Sequence, residues 1–314
     1  MVIKYKLYKN KKSMIFTIIA IIILSVFLLT YTVYSIGKDR KSINKRIETM
    51  NNYIFSLEKD LPRQLYISGF RIIYIFEKKI IDSGIPINNL NDSFEELFYN
   101  GTLYGEPQIL MNGVTYSSIL NNVNTKAESF NIFINLTNPE LKVSQTDPWN
   151  VRIDLKVDLF MMDKGNLAIW NKTEYITTFI PIEFFEDPLY VLNTGKRVTN
   201  KIRKTIYLPF VNGTDVTNLN LHSQNSMYIN SSDSPSFLER LQGKFDANIN
   251  GIESLVYLPK LSAQGISVDN SKSCIDHIYF SSNNPSSRNI KGMPNWFRID
   301  DDHLEVYNVT GLIV

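Results

Sequence analysis

Hydrophobic positions change their spacing twice along the chain. Met14 to Ile36 is a run of 23 residues without a charge. At about 1.5 Å per residue, a helix of that length crosses a hydrocarbon core of about 30 Å with some tilt. A cleaved secretory signal has a shorter apolar region of about 7 to 15 residues, closed by a small-x-small site. This run instead ends in Thr32-Val33-Tyr34-Ser35-Ile36, so the pattern predicts a retained anchor. Past it, Ile43, Ile47, Met50, Ile54, Leu57 and Leu61 recur at spacings of 4, 3, 4, 3 and 4, a heptad stripe between mostly polar positions. Only Gly37 interrupts good helix formers between Ile36 and Leu61. Anchor and stalk therefore read as one rod of about 70 Å for about 47 residues. The stripe has two uses open to it. It packs on the chain's own sheet or on like subunits, and the second use places Ile43, Ile47, Met50, Ile54 and Leu57 at the subunit contact.

Asp60-Leu61-Pro62 reads as a fresh helix start, with Asp as cap and proline in the first turn. The second helix then carries Leu65, Gly69, Ile72, Ile73, Phe76 and Ile80 and closes near Asp82-Ser83-Gly84. From residue 128 the period becomes two. Phe130 to Leu136 predicts one strand and Val151 to Leu159 a second. Asp163-Lys164-Gly165-Asn166 turns into a third at Leu167 to Trp170, and Tyr175 to Ile182 and Thr205 to Val211 read as further strands. Arg152, Asp154, Lys156 and Asp158 alternate with the apolar positions of the second strand, which marks a wet face on an antiparallel meander. The stretch from Val216 to Ser236 is Asn/Ser-rich and reads as a loop or linker. Ser236-Phe237-Leu238-Glu239 is a capping box that opens a short helix. The reading is an α+β chain. Residues 1–13 form a tail, 14–36 a span, 37–84 a helical stalk and second helix, and 85–215 a sheet domain. Residues 216–236 form the linker and 237–314 a mixed α/β subdomain.

Charge changes the picture by its distribution. The chain has 33 Lys+Arg and 31 Asp+Glu, a formal +2. Lys4, Lys6, Lys9, Lys11 and Lys12 precede the span, and no acidic residue occurs before Asp39. The remainder is slightly acidic, a poor match for nucleic acid. Lys38, Arg40, Lys41, Lys45 and Arg46 against Asp39 make the far flank basic too, so flanking charge alone barely sets orientation. The acid-free tail, the large body on one side and seven N-x-S/T sites favour a cytoplasmic N-terminus and an external body. Those sites, at Asn91, Asn100, Asn135, Asn171, Asn212, Asn230 and Asn308, are candidates for glycosylation. Cys274 is the lone cysteine. An external body of this size then relies on its core, which fits a prokaryotic surface better than an animal ectodomain.

Taken together, the lysine-rich leader, the uncleaved apolar helix, the amphipathic stalk and the antiparallel meander resemble the lollipop plan of type IV pilin-like proteins. The stretch Tyr175 to Arg197 (YITTFIPIEFFEDPLYVLNTGKR), preceded by Asp163-Lys164-Gly165-Asn166 and Trp170, is similar to archaeal membrane-anchored pilin-like proteins. The resemblance implies packing with like subunits or other pilin-like membrane proteins. The chain departs from it in offering Ser13 where pilin leaders are cut after glycine or alanine. It also has Ile18 where many bacterial pilins place a glutamate.

Catalytic chemistry has little to rest on. G-x-x-x-x-G-K-[ST], G-x-G-x-x-G, H-E-x-x-H and C-x-x-C are absent. Cys274 and His277 on a strand over Ser273 to Phe280 point to opposite faces and do not pair. Ser42 and Lys45 match S-x-x-K on an exposed stalk where nothing desolvates the lysine. Asp300, Asp301 and Asp302 before His303 read as a helix cap, with a weak alternative as a calcium site. Asp187-Pro188 reads as a turn. The expectation is a single-pass, surface-exposed protein without catalysis or cofactor, in contact with the lipid bilayer and like subunits and not with nucleic acid. A tethered ligand-binding or sensor domain acting through a partner is the alternative.

Overall fold

The computed structural model describes residues 11–314, with side chains from Met14 onward. The leader lysines Lys4, Lys6 and Lys9 lie outside the described residues, as do the side chains of Lys11, Lys12 and Ser13. One helix, α1 (Lys11–Ser83), runs for 73 residues. Its apolar stretch has a mean hydropathy of 2.7 over 18 residues, none of them buried within the chain. From Met50 the same helix enters the body. Met50, Ile54, Leu57, Leu61, Leu65, Ile72, Phe76 and Ile80 are all buried.

Two expectations are corrected along this helix. Pro62 does not begin a second helix but lies inside the first. A proline there forfeits one backbone hydrogen bond and crowds the preceding turn. Burial of Leu57, Leu61 and Leu65 on the neighbouring sheet outweighs that, at about 1.5–3 kcal/mol per large apolar side chain. Asp60 caps nothing. Its Oδ2 accepts instead from Gln64 Nε2 at 2.8 Å and from Lys126 Nζ at 2.7 Å. Secondly, Met50, Ile54 and Leu57 pack into the chain's own core, the first of the two uses open to the stripe. Ile43 and Ile47 remain half-buried.

Two short helices, α2 (Leu90–Asn100) and α3 (Tyr116–Ser129), cover the next edge of this core, with a two-residue ladder of β1 (Thr102–Leu103) and β2 (Glu106–Pro107) between them. The main sheet is an antiparallel meander of β3 (Ile132–Asp147), β4 (Asn150–Asp163) and β5 (Ile169–Pro181), in that order. β4 buries every second residue and leaves Arg152, Asp154, Lys156 and Asp158 on the outer face, as its alternation predicts. The third and fourth expected strands are one strand, β5, in unbroken register with β4 from Ile169 opposite Met162 to Pro181 opposite Asn150. Gly165 in the β4–β5 turn lets the chain fold back tightly, because a Cβ there would lie 2.7 Å from Asp163 Oδ2. Gly69 serves a different end. A Cβ on it would lie 2.2 Å from Ile153 Cδ1, so its absence lets helix and sheet touch.

Thr205 to Val211 is not a strand. Pro209 has no N–H for a ladder, and pairing is confined to an isolated bridge from Lys204 to Tyr228. The Asn/Ser-rich stretch is likewise folded rather than loop. It forms α5 (Thr217–Gln224) and β6 (Tyr228–Asn230), and buries Leu219, His222, Tyr228 and Ser234. The hydroxyls of Ser226 and Ser234 are buried and hydrogen-bond to the Ser223 carbonyl and to Glu253, which composition does not reveal. The capping box at Ser236 and Glu239 forms as expected and opens α6 (Phe237–Leu241). β6 pairs with β7 (Ile252–Ser254). Around these, α4 (Pro188–Asn193), α7 (Leu258–Ala263) and α8 (Asp276–Phe280) border a second apolar core that includes Tyr190, Leu219, Val256, Leu261, Ile275, Phe297 and Tyr307. The expected strand at Ser273 to Phe280 is thus α8 over its second half. Cys274 Sγ lies 3.9 Å from the carbonyl of Trp296 inside that core, and burial pushes its thiol up to about 12.

Candidate functional site

Of the residues singled out for chemistry, Asp187, His277, Asp300 and His303 belong to a buried charge network built around one arginine. Arg240, on α6, is fully enclosed. Its Nη1 lies 2.5 Å from Asp187 Oδ2 and 2.9 Å from Asp276 Oδ2, and its Nη2 donates to the carbonyl of Ile252. Asp187 Oδ2 also accepts from the Tyr228 hydroxyl at 2.8 Å, and its Oδ1 from the Leu189 amide at 2.9 Å. Asp276 Oδ2 accepts from the Ser254 hydroxyl, which is 2.9 Å from the Tyr190 hydroxyl. Burial works to raise both carboxyls. At Asp276, Arg240 overrides burial and holds the group well below the usual range, whereas at Asp187 burial prevails and the group is raised.

A second charge group adjoins the first. His303 Nδ1 is 2.6 Å from Asp300 Oδ1, and its Nε2 is 3.3 Å from Glu253 Oε2. Burial disfavours the imidazolium, but the two carboxylates outweigh it and push His303 up to about 10. Glu253 accepts further from Tyr307 at 2.9 Å and from Ser234 at 3.0 Å. His277 Nδ1 is 3.0 Å from Ser234 Oγ and 3.6 Å from Asp276 Oδ1.

Ser234, His277 and Asp276 are the residue types of a hydrolytic triad, and the geometry is wrong for one. A triad uses opposite ring nitrogens of the histidine for its serine and its carboxylate. Here both partners face Nδ1, and Ser234 is wholly buried with its hydroxyl committed to Glu253. The network is an internal scaffold that ties α4, α6, α8, β6 and β7 together. The weak calcium reading of Asp300, Asp301 and Asp302 also fails on geometry. Asp300 points inward to His303 and to Ser273, Asp301 turns out to chelate Arg288 at 2.8 and 3.1 Å, and Asp302 is exposed. Ser42 and Lys45 stand exposed on α1 with no closing wall.

A broad open groove lies elsewhere, where α1 passes the turn after β5. A groove of about 690 Å³ is lined there by Phe70, Tyr74, Glu77, Phe184, Phe185 and Lys201. Phe184 is 71% exposed, Tyr74 46% and Phe70 41%, an unusual display for three aromatic rings beside one another. Phe184 is moreover held at φ +74°, a left-handed conformation that costs a bulky residue about 1–3 kcal/mol. Its amide donates to the carbonyl of Ile202 at 2.8 Å, which fixes the turn. Glu77 lies at the floor. Its Oε1 accepts the amide of Glu186 at 2.5 Å, and burial pushes its carboxyl up to about 7. Rings with one carboxyl and a rim lysine can hold an apolar or aromatic group by dispersion.

Sequence reasoning missed this groove, although Glu77 carried a signal: a charged residue one position past Phe76 and three before Ile80 on an apolar face. Arg240 and Glu253 carried none. The seven candidate glycosylation asparagines, Asn91, Asn100, Asn135, Asn171, Asn212, Asn230 and Asn308, are all exposed. No protein-family profile, curated protein or solved structure matches this chain.

Proposed function

We propose that this chain is a single-pass membrane protein of pilin-like plan, with a cytoplasmic N-terminus and a glycosylated body presented outside the cell to bind rather than to catalyse. The observation that carries this reading is the division of α1. It is apolar and uncovered from Met14 to Ile36, and the same helix is enclosed by the body from Met50. Tyr31 and Tyr34, 65% and 71% exposed, sit where an interfacial aromatic belt is expected. Contact with like subunits is assigned to the anchor and to Ile43 and Ile47, the part of the stripe that the body leaves open.

Alkaline carbonate extraction and protease treatment of intact cells test the topology. The chain stays with the membrane and loses its body to external protease. Release by carbonate, or full protection of the body, refutes the reading. Mass spectrometry of the mature N-terminus separates a start at Met14, expected of a processed filament subunit, from an intact Met1 or Val2, expected of a permanent tether. Crosslinking in membranes weakens in Ile43→Asp if like subunits meet there.

A second reading, a tethered ligand-binding domain acting through a partner, is favoured by the exposed rings over Glu77. Screening the full chain in detergent against aromatic and glycan ligands, with Phe184→Ala as control, tests it.

A further inference from the structure

The sheet descends alongside α1 toward the span. Gly69 abuts Ile153 and Ile180, Lys172 Nζ lies 2.7 Å from Glu58, and Arg46 Nε lies 3.1 Å from Asp163. β4 therefore runs antiparallel to the helix and reaches the level of Arg46 at its last residue. Arg46 is ten residues past Ile36, about 15 Å along the axis. The β4–β5 turn continues beyond Asp163 through Lys164 to Leu167, about 5 Å further down. Its tip thus hangs about 10 Å above the end of the span, over a headgroup layer about 5–7 Å thick. Side-chain reach and the usual helix tilt of about 20° close the remaining gap.

This end combines exposed apolar side chains with a cluster of unpaired cations. Phe130, Leu167 and Ile169 are 48%, 45% and 59% exposed. Arg46 also donates to the carbonyl of Phe130 at 3.2 Å, and the Lys164 amide to that of Asn131, so the end of α3 joins the turn in one surface. Around it stand Lys38, Arg40, Lys41, Lys45 and Lys164, all exposed and none in an ion pair among the described residues, against the exposed acids Asp39, Glu48 and Glu128. A body that is acidic overall is basic where it faces the bilayer.

We propose that this underside is a lipid-contact surface. Phe130, Leu167 and Ile169 seat at headgroup depth in the leaflet on the body's side, while the five cations pair with phosphates of anionic lipids. The inference rests on the membrane reading above, and adds that the body lies on the bilayer instead of standing clear of it. Juxtamembrane cations of this kind act within about a Debye length, about 10 Å at 0.1 M salt.

The test uses the full chain in vesicles of phosphatidylcholine with or without phosphatidylglycerol, doped with a headgroup-nitroxide lipid. A fluorophore is placed at Leu167→Cys, and at Ile85→Cys as the control just beyond the far end of α1. Cys274 is wholly buried, so labelling goes to the new thiol. Quenching at position 167 is expected to exceed that at 85 several-fold, to weaken without phosphatidylglycerol or in high salt, and to weaken in Lys164→Glu. Equal quenching at the two positions in carbonate-resistant vesicles overturns the lipid contact while leaving the anchor intact. Release of the chain by carbonate removes the anchor reading, and the inference with it.

Discussion

Replacing Arg240 by Met isolates the buried charge network. The side chain has no exposed surface and neutralises two carboxylates that have none either. Methionine fills comparable apolar volume, so the loss is chiefly electrostatic. Breaking a buried ion pair from one side costs about 3–5 kcal/mol, a large part of the about 5–15 kcal/mol that holds a typical domain folded. With a urea m-value of about 3 kcal/mol/M, the midpoint of body unfolding falls by about 1–1.7 M. Tryptophan fluorescence of the full chain in detergent reads it, since Trp149, Trp170 and Trp296 all lie in the body. The sign of the pH dependence gives an independent check. Without Arg240, both Asp187 and Asp276 are raised above their unfolded values, so they contribute stability below about pH 4 and lose it as pH rises. The gap from wild type is therefore smallest near pH 4 and widest near pH 8. Adding Asp187→Asn and Asp276→Asn removes the orphaned charges and recovers much of the loss. A midpoint shift below about 0.3 M, or a gap indifferent to pH, refutes the reasoning.

Three further outcomes follow from particular contacts. His303, pushed up to about 10, contributes stability that is whole below its unfolded value and lost as pH rises through about 10. In His303→Gln the alkaline limb of a Tm–pH curve flattens, and an unchanged limb rules the ion pair out as its cause. Gly69→Ala puts a methyl against Ile153 Cδ1 and Ile180 Cδ1, at about 1–3 kcal/mol for overpacking. Adding Ile153→Val deletes the nearer methyl and restores part of the Tm, while failure to restore it locates the strain elsewhere. Phe184→Gly removes an exposed ring and relieves a left-handed backbone, so the Tm holds or rises. A drop of several degrees shows that the ring supports the fold and is not kept for the groove.

How much was legible in the sequence depended on whether one segment contained its own reason. The long apolar helix, the alternation of β4 and the Ser236–Glu239 capping box are local, and they were read from residues a few positions apart. Pro62 misled because its cost is local while its compensation, the sheet under Leu61 and Leu65, is more than 60 residues away. Likewise Asp187 looked like an ordinary turn aspartate. Its Oδ1 does accept the Leu189 amide as such turns require, but its Oδ2 meets Arg240, 53 positions on. Cys274 was read correctly as enclosed. His277 and His303 acquired their neighbours only through tertiary folding, and no spacing rule points from His303 to Glu253.

The unbroken course of α1 has a mechanical corollary. A helix has a phase as well as a length, advancing about 100° per residue. With no joint between Ile36 and Met50, the azimuth of the body is geared to that of the anchor. Whatever grips one side of the apolar stretch of α1 also decides which way the groove at Phe184 looks, and a single residue inserted near Ser42 would turn it by about 100°. The stalk is in this sense a shaft, able to convey rotation as well as distance.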